Sequence, residues 1–295
     1  MPYLLPLLTV LIWTGNTLVT KASAAAIGPA EIGFYRWLLA GLLFTPFLIR
    51  PVWRNRAAIK PVLGKVLVLA ALGMAFFQSL AYFAAGMTTA TNMAIIPSLI
   101  PIMVLLMSSV VLGSRLTWGA LIGALISVAG VLEIVSAGHL GNLARQGLNR
   151  GDAMLLLAAV AFAVYNVLLR KWQLRVPPLQ LLYLQAVMAT ILLSPMFLLL
   201  PRVGLNAHNI GLVLYAGIPT SMLAPLLWMQ SIARLGPERT ILFFNLLPII
   251  TVIAAALILG EQLASYHLLG GGLTLAGLVL AERWRTPLRA AALES

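Results

Sequence analysis

Residues 95–133, IIPSLIPIMVLLMSSVVLGSRLTWGALIGALISVAGVLE, decide the fold when laid over residues 242–280, LFFNLLPIITVIAAALILGEQLASYHLLGGGLTLAGLVL, at an offset of 147. Ten of 39 positions are identical without a gap: Leu99, Pro101, Ile102, Leu112, Gly113, Leu116, Leu121, Gly123, Ala129 and Gly130. Two apolar segments match at Leu and Ala by chance. They do not readily share a proline (Pro101 and Pro248) together with three glycines (113/260, 123/270, 130/277). At the nearby offset of 150, Asn16, Leu18 and Lys21 fall on Asn166, Leu168 and Lys171. One unit is therefore expected to occur twice.

The repeated unit lies in a chain of 295 residues, 61% hydrophobic and 9% charged, too poor in polar residues to cover a globular surface. Its solvent is expected to be lipid, where helices satisfy every backbone group internally. Apolar runs of about 20 residues fall near 3–20, 31–49, 66–85, 93–112, 117–136, 152–169, 178–200, 210–233, 238–259 and 266–281. The first run has no basic segment before it and no cleavage pattern after it, so it reads as a retained helix.

Ten spans place both termini on one side. The loops and tail there hold Arg50, Arg54, Arg56, Lys60, Lys65, Arg115, Arg170, Lys171, Arg175, Arg234, Arg239, Arg283, Arg285 and Arg289. The opposite loops hold Lys21, Arg145, Arg150 and Arg202, a division of 14 against 4, with Arg36 inside a span. Basic loops stay inside, so both termini are expected to be cytoplasmic, and the net charge of +12 serves topology rather than nucleic acid binding. Five spans per half is an odd number, so the halves enter the membrane in opposite orientations. The expected fold is an all-α polytopic membrane protein of ten helices in two inverted five-helix repeats. These are residues 1–140 and 150–281, followed by a basic cytoplasmic tail, 282–295. Inverted repeats are a recurring architecture of secondary transporters, with the substrate site at the repeat interface near the midplane.

Several strings now resemble a family: Trp13-Thr14-Gly15-Asn16, Arg36, Pro101, Gly151-Asp152, Leu259-Gly260-Glu261 and the glycines of the last span. Together they are similar to the EamA type of the drug/metabolite transporter superfamily, over nearly the whole chain. Gly113-Ser114-Arg115 departs from the family's Gly-Glu at that place, which Leu259-Gly260-Glu261 keeps. Within the family the chain is most similar to the bacterial aromatic amino acid exporters, the YddG proteins. The resemblance implies a multi-pass inner-membrane exporter of amino acids or related small metabolites. Drugs or organic cations are the alternative cargo within the same family.

The repeat also nominates residues. Pro101 and Pro248 lie about nine and eleven residues into their spans, close to mid-membrane at about 1.5 Å per residue. Each frees the carbonyl four residues earlier, on Pro97 or Phe244, which in hydrocarbon needs a partner or a polar cavity. A packing kink is the structural alternative. Ser98 and Asn245 are equivalent positions one turn before these prolines, suited to a polar solute or to bonding a neighbouring helix. Asn16 and Asn166 lie toward opposite faces, as paired gates would, or act as interhelical glue; Thr14 and Tyr165 are their companions. Gln78 and Tyr82 share a helix face, and with Trp228 they suit a flat zwitterion, although interfacial aromatics also serve as membrane anchors. Arg36 and Glu133 lie at similar depths. A structural ion pair between them is expected, with substrate binding the alternative for Arg36. The pathway is then net neutral.

Other chemistry is excluded by what the chain lacks. There are no cysteines, one aspartate, and no phosphate loop or zinc-binding pair of histidines; His139, His208 and His267 fall at loops or span ends. An intramembrane enzyme needs a nucleophile with its base, paired carboxylates or metal ligands at depth. No cofactor, metal or nucleic acid is expected. The expected partners are a small-molecule substrate and the lipid bilayer, with a monomer sufficient.

Overall fold

The computed structural model describes residues 3–88, 90–139, 141, 149–259 and 264–287. Gly260, Glu261, Arg145, Arg289 and Glu294 lie outside the described residues. Among the described residues every regular element is helical, and strand-type pairing is confined to one bridge between Thr117 and Pro287.

The helices are numbered in chain order. The first half contains α1 (Leu4–Ser23), α2 (Pro29–Arg54), α3 (Arg56–Ala85), α4 (Ala90–Ser98 and Ile100–Val111) and α5 (Trp118–Val135). Then follow α6 (Arg150–Trp172), α7 (Pro178–Leu199), α8 (Ile210–Leu235), α9 (Pro237–Leu242, Phe243–Asn245 and Leu246–Leu259) and α10 (Ser265–Arg283). Six of them, α2, α3 and α5 to α8, are long and apolar enough to cross a membrane, and shorter apolar stretches run through Leu4–Thr20 and Ile96–Val111. Phe47, Val110 and Leu199 are at least three-quarters exposed, as side chains facing lipid are. This is the fold of a membrane protein.

Local sequence explains the starts and breaks. Pro29 opens α2, where a missing N–H costs nothing, and Glu31 reaches back to the Gly28 N–H at 3.1 Å. Asn149 and Asp152 cap α6 reciprocally: the Asp152 N–H donates to Asn149 Oδ1 at 3.1 Å and the Asn149 N–H to Asp152 Oδ2 at 2.8 Å. The paired prolines interrupt their helices, as their missing donors require. Helix α4 breaks at Leu99, and α9 tightens into a 3-10 turn at Phe243–Asn245. The sequence reading ended the second span at 49 and began the third at 66. The helices run on to Arg54 and start at Arg56, because basic side chains at the boundary extend to water while the backbone stays helical.

Two features without a sequence signature sit in α3 and α8. Each contains a wide π-helical segment, Ala70–Phe76 and Pro219–Leu223, at nearly equivalent repeat positions. Such turns carry an extra residue and are frequent at functional sites.

Helix pairings come in matched sets. α1 packs on α8 and α9, as α6 packs on α3 and α4; α2 meets α8 as α7 meets the π segment of α3; α2 meets α7, and α5 meets α10. The α5–α10 contact is the most extensive and has glycine on both sides. A Cβ at Gly123 would strike the Gly277 carbonyl and one at Gly277 the Gly123 carbonyl; Gly130 and Gly270 are related in the same way. Between them, Ser127 Oγ donates to the Thr274 carbonyl at 3.1 Å and Thr274 Oγ1 to the Ser127 carbonyl at 3.4 Å. Small residues let the backbones approach, and the hydroxyls then bond across the gap, each worth about 0.6 kcal/mol in a membrane interior.

Candidate functional site

A cavity of about 640 Å³ opens between the halves, within the range of small-molecule sites. Its walls come from α1 (Trp13, Asn16, Thr20), α2 (Arg36, Trp37), α3 (Met74, Gln78), α4 (Pro97, Ser98), α6 (Leu155, Phe162, Tyr165), α8 (Thr220, Trp228) and α9 (Asn245, Pro248, Thr251). Lining residues continue to Ala24, Thr88 and Val135, which share one end of the bundle. The other end is closed by aromatic rings. Trp13 lies 4.9 Å from Trp228, 5.8 Å from Phe244 and 6.1 Å from Phe162 between centroids, and Phe77 stacks on Phe162 at 4.4 Å.

That floor is held in place. The Trp228 indole N–H donates to Asn166 Oδ1 at 2.8 Å, and Asn166 Nδ2 donates to the Phe162 carbonyl at 2.6 Å. Both side chains are buried, where an unmet donor or acceptor costs about 1–3 kcal/mol. Tyr165 turns its ring against Gly73, where a Cβ would come within 2.5 Å of the ring, so the glycine in the π segment of α3 makes room for the wall.

The polar groups above the floor are differently placed. Asn245 is 1% exposed, lines the cavity and has neither side-chain amide atom in a hydrogen bond. Thr220 Oγ1 is likewise buried and unbonded on the wall, as is Asn16 Oδ1, while Asn16 Nδ2 reaches Thr20 Oγ1 at 3.5 Å. Buried polar atoms without protein partners, on residues that line a cavity, are candidates for a partner from outside the chain.

Most of the residues nominated from sequence converge here. Asn16, Gln78, Ser98, Tyr165, Trp228, Asn245 and Pro248 line the cavity, and Asn166 stands behind Trp228. Three more do not line it. Thr14 donates back along its own helix to the Val10 carbonyl at 3.0 Å, Pro101 is buried, and Tyr82 lines a smaller neighbouring pocket of about 210 Å³.

The repeat is thus used asymmetrically. Pro248 and Thr251 face the cavity, whereas their counterparts Pro101 and Val104 are buried in the closed half. Asn16 has an unbonded carbonyl beside the opening, whereas Asn166 is fully engaged under the floor.

The expected ion pair between Arg36 and Glu133 does not form. Arg36 is 2% exposed, and its Nε donates to Ser221 Oγ at 2.7 Å and its Nη1 to Tyr82 at 3.1 Å. Among the described residues the one ion pair joins Arg239 to Glu282. Equal depth misled the reading. Helix α2 packs against α7 and α8 while α5 packs against α10, so the two side chains point to different neighbours. Arg36 stands on the cavity wall instead, so the cavity lining carries a charge where a neutral one was expected.

Sequence reasoning also missed Trp13, Phe162, Phe244, Thr220, Ser221 and Thr251. A signal existed for two of them. Trp13 lies three residues before Asn16 and Phe162 four before Asn166, which puts each on the face of a residue already singled out. Among the described residues no cluster of His, Cys, Asp or Glu has metal-binding geometry.

The chain matches the EamA-like transporter family twice, at residues 1–136 and 149–282, and it belongs to that family. An uncharacterized transporter of Archaeoglobus fulgidus is 30% identical over 94% of this chain and 96% of its own length. A protein of Streptantibioticus cattleyicolor described as a probable terminal-alkyne amino-acid exporter is 25% identical over 94% and 91%. One crystal structure superposes with a TM-score of 0.77 over 95% of this chain and 96% of its own at 19% identity, a likeness of fold alone. The chain is a multi-pass membrane transporter for small molecules and not an enzyme.

Proposed function

We propose that this member of the EamA-like transporter family exports amino acids, aromatic and other neutral ones, or related small metabolites across a bacterial inner membrane. The observation that carries the reading is the cavity itself. It has an aromatic floor of Trp13, Phe162, Trp228 and Phe244, and above it the buried and unbonded groups of Asn245 and Thr220. A flat apolar body stacks on the rings while a polar head meets the amide and the hydroxyl. The relative from Streptantibioticus cattleyicolor described as a probable terminal-alkyne amino-acid exporter accords with this reading.

The architecture we propose is ten spans in two inverted halves with both termini cytoplasmic. Reciprocal packing of α5 with α10, the matched helix pairings and the double family match support it. The division of basic residues supports the orientation, in which the open end faces the periplasm. Transport then proceeds by alternating access. The Asn166–Trp228 bond and the aromatic floor close the cytoplasmic half, and in the opposite state Asn16 closes the periplasmic half against α3. Gln78, 150 positions before Trp228, is the partner in that bond, its Nε2 donating to Asn16 Oδ1 as the Trp228 indole donates to Asn166 Oδ1.

Proteoliposomes loaded with a mixture of amino acids, metabolites and cationic drugs, with the departing species measured, test the reading. Efflux of aromatic and neutral amino acids is expected. Exclusive efflux of cationic drugs would overturn it.

A further inference from the structure

We propose that Arg36 is the carboxylate-recognition residue of the transport site, so that the substrate must carry a carboxylate beside its apolar or aromatic body. The inference rests on the amino-acid reading above and narrows it to one functional group.

Arg36 is the one charged residue among the described residues that line the cavity. A buried guanidinium cation without a counter-charge is costly at membrane depth. The buried acids Glu31 and Asp152 are committed elsewhere. Glu31 accepts from the N–H groups of Gly28, Val203 and Gly204 at 2.8–3.1 Å, and Asp152 accepts from the Asn149 N–H, Asn92 and Thr88. Among the described residues Arg36 therefore has hydrogen-bond acceptors but no anion.

The acceptors also orient it. Ser221 donates its own hydroxyl hydrogen to the Ala216 carbonyl at 2.7 Å, which leaves its oxygen to accept from Nε. With Nε and Nη1 tied to α8 and α3, the guanidinium plane is fixed, and Nη2 makes no hydrogen bond among the described residues. Thr220, the chain neighbour of Ser221, adds its unbonded hydroxyl from the same π segment. A planar fork backed by a hydroxyl is the arrangement that suits a carboxylate.

The same charge sets selectivity. One cation balances one carboxylate, leaves a phosphate dianion under-compensated and repels organic cations. The ammonium of a zwitterionic amino acid then falls to the Asn245 carbonyl oxygen and the faces of the floor rings, which attract cations.

The test is a matched series applied to the purified full-length protein in detergent and in proteoliposomes: L-phenylalanine, L-phenylalaninamide, 3-phenylpropionate and phenethylamine. L-Phenylalanine and 3-phenylpropionate are expected to raise the melting temperature and to compete with labelled phenylalanine. The amide and the amine should require at least about tenfold higher concentration. Arg36→Gln should abolish the preference for the acid over the amide, and Arg36→Lys should keep part of it. If Arg36→Gln does not fold, the wild-type series decides alone. Equal action of acid and amide overturns the role of Arg36 and leaves amino-acid export standing. Action of 3-phenylpropionate without L-phenylalanine upholds Arg36 and overturns amino-acid export. No response to any compound overturns both.

Discussion

Ser127 and Thr274, 147 residues apart, each donate a side-chain hydrogen bond to the other's main-chain carbonyl. The offset is the one at which the two halves of the sequence match. The flanking glycines exchange partners about this point: Gly123 meets Gly277 and Gly130 meets Gly270, each pair joining one residue to the repeat equivalent of the other. A contact of this kind arises when two copies of one helix cross about a local twofold axis. The glycines are retained because any side chain would separate the backbones and break both hydroxyl bonds.

Substitution of those glycines should therefore be felt. Gly123→Ala or Gly130→Ala puts a Cβ against a partner carbonyl and should destabilise by about 1–3 kcal/mol, seen as a lower melting temperature of the detergent-extracted protein. Gly272→Ala on the partner helix α10 meets nothing within 4 Å and serves as the control. Equal melting of the three variants and the wild type would contradict the close crossing.

The asymmetry between Thr251 and Val104 predicts sidedness. The chain has no native cysteine, so Thr251→Cys and Val104→Cys each present a single thiol. A membrane-impermeant maleimide added to intact cells should label Thr251→Cys, which lines the open cavity, and spare Val104→Cys, which is buried. Labelling of Val104→Cys alone would reverse the orientation.

Trp228→Phe keeps a ring in the floor but loses the bond to Asn166. The lost bond is worth about 0.5–1.5 kcal/mol, a roughly two- to tenfold shift toward opening of the closed half. Maleimide labelling of Val104→Cys should rise in this background, read in inverted membrane vesicles. An unchanged labelling rate would remove the gating role of the pair.

Gln185, buried in α7 at 0% exposure, has neither end of its amide in a hydrogen bond and does not line the cavity. Gln185→Met fills a similar volume without polar atoms. It should raise the stability of this conformation by about 1–3 kcal/mol, the cost of an unmet buried polar group, measurable as a higher melting temperature. A fall would mean that the amide has a partner the structure does not contain.

Asn245→Leu removes both unbonded amide atoms from the cavity wall. It should weaken substrate affinity while leaving the protein extractable and monodisperse, measured as a higher half-saturation for phenylalanine counterflow. Wild-type affinity would exclude Asn245 from recognition.

Much of the candidate site was legible because the repeat marks it. Pro248, Ser98, Asn245 and Asn16 were found by alignment of one half with the other, and the structure brings them to one cavity. The aromatic floor was not, because an apolar ring in an apolar helix has no signature until its rotation is known. Arg36 was misassigned for a related reason. Distance along a helix gives depth but says nothing about which neighbour the side chain faces.

The sequence by itself determined that the chain is helical, membrane-embedded and internally repeated. Apolar runs without water must satisfy their own backbones, and matched glycines and prolines betray a duplicated unit. Only the tertiary structure decided which half stands open, which of two equivalent asparagines is engaged, and that Arg36 lines the cavity with no carboxylate partner among the described residues. Two copies of one sequence pattern are equivalent in the chain. Packing breaks that equivalence, because in this conformation Pro248 and Thr251 line the cavity while Pro101 and Val104 are buried against their neighbours.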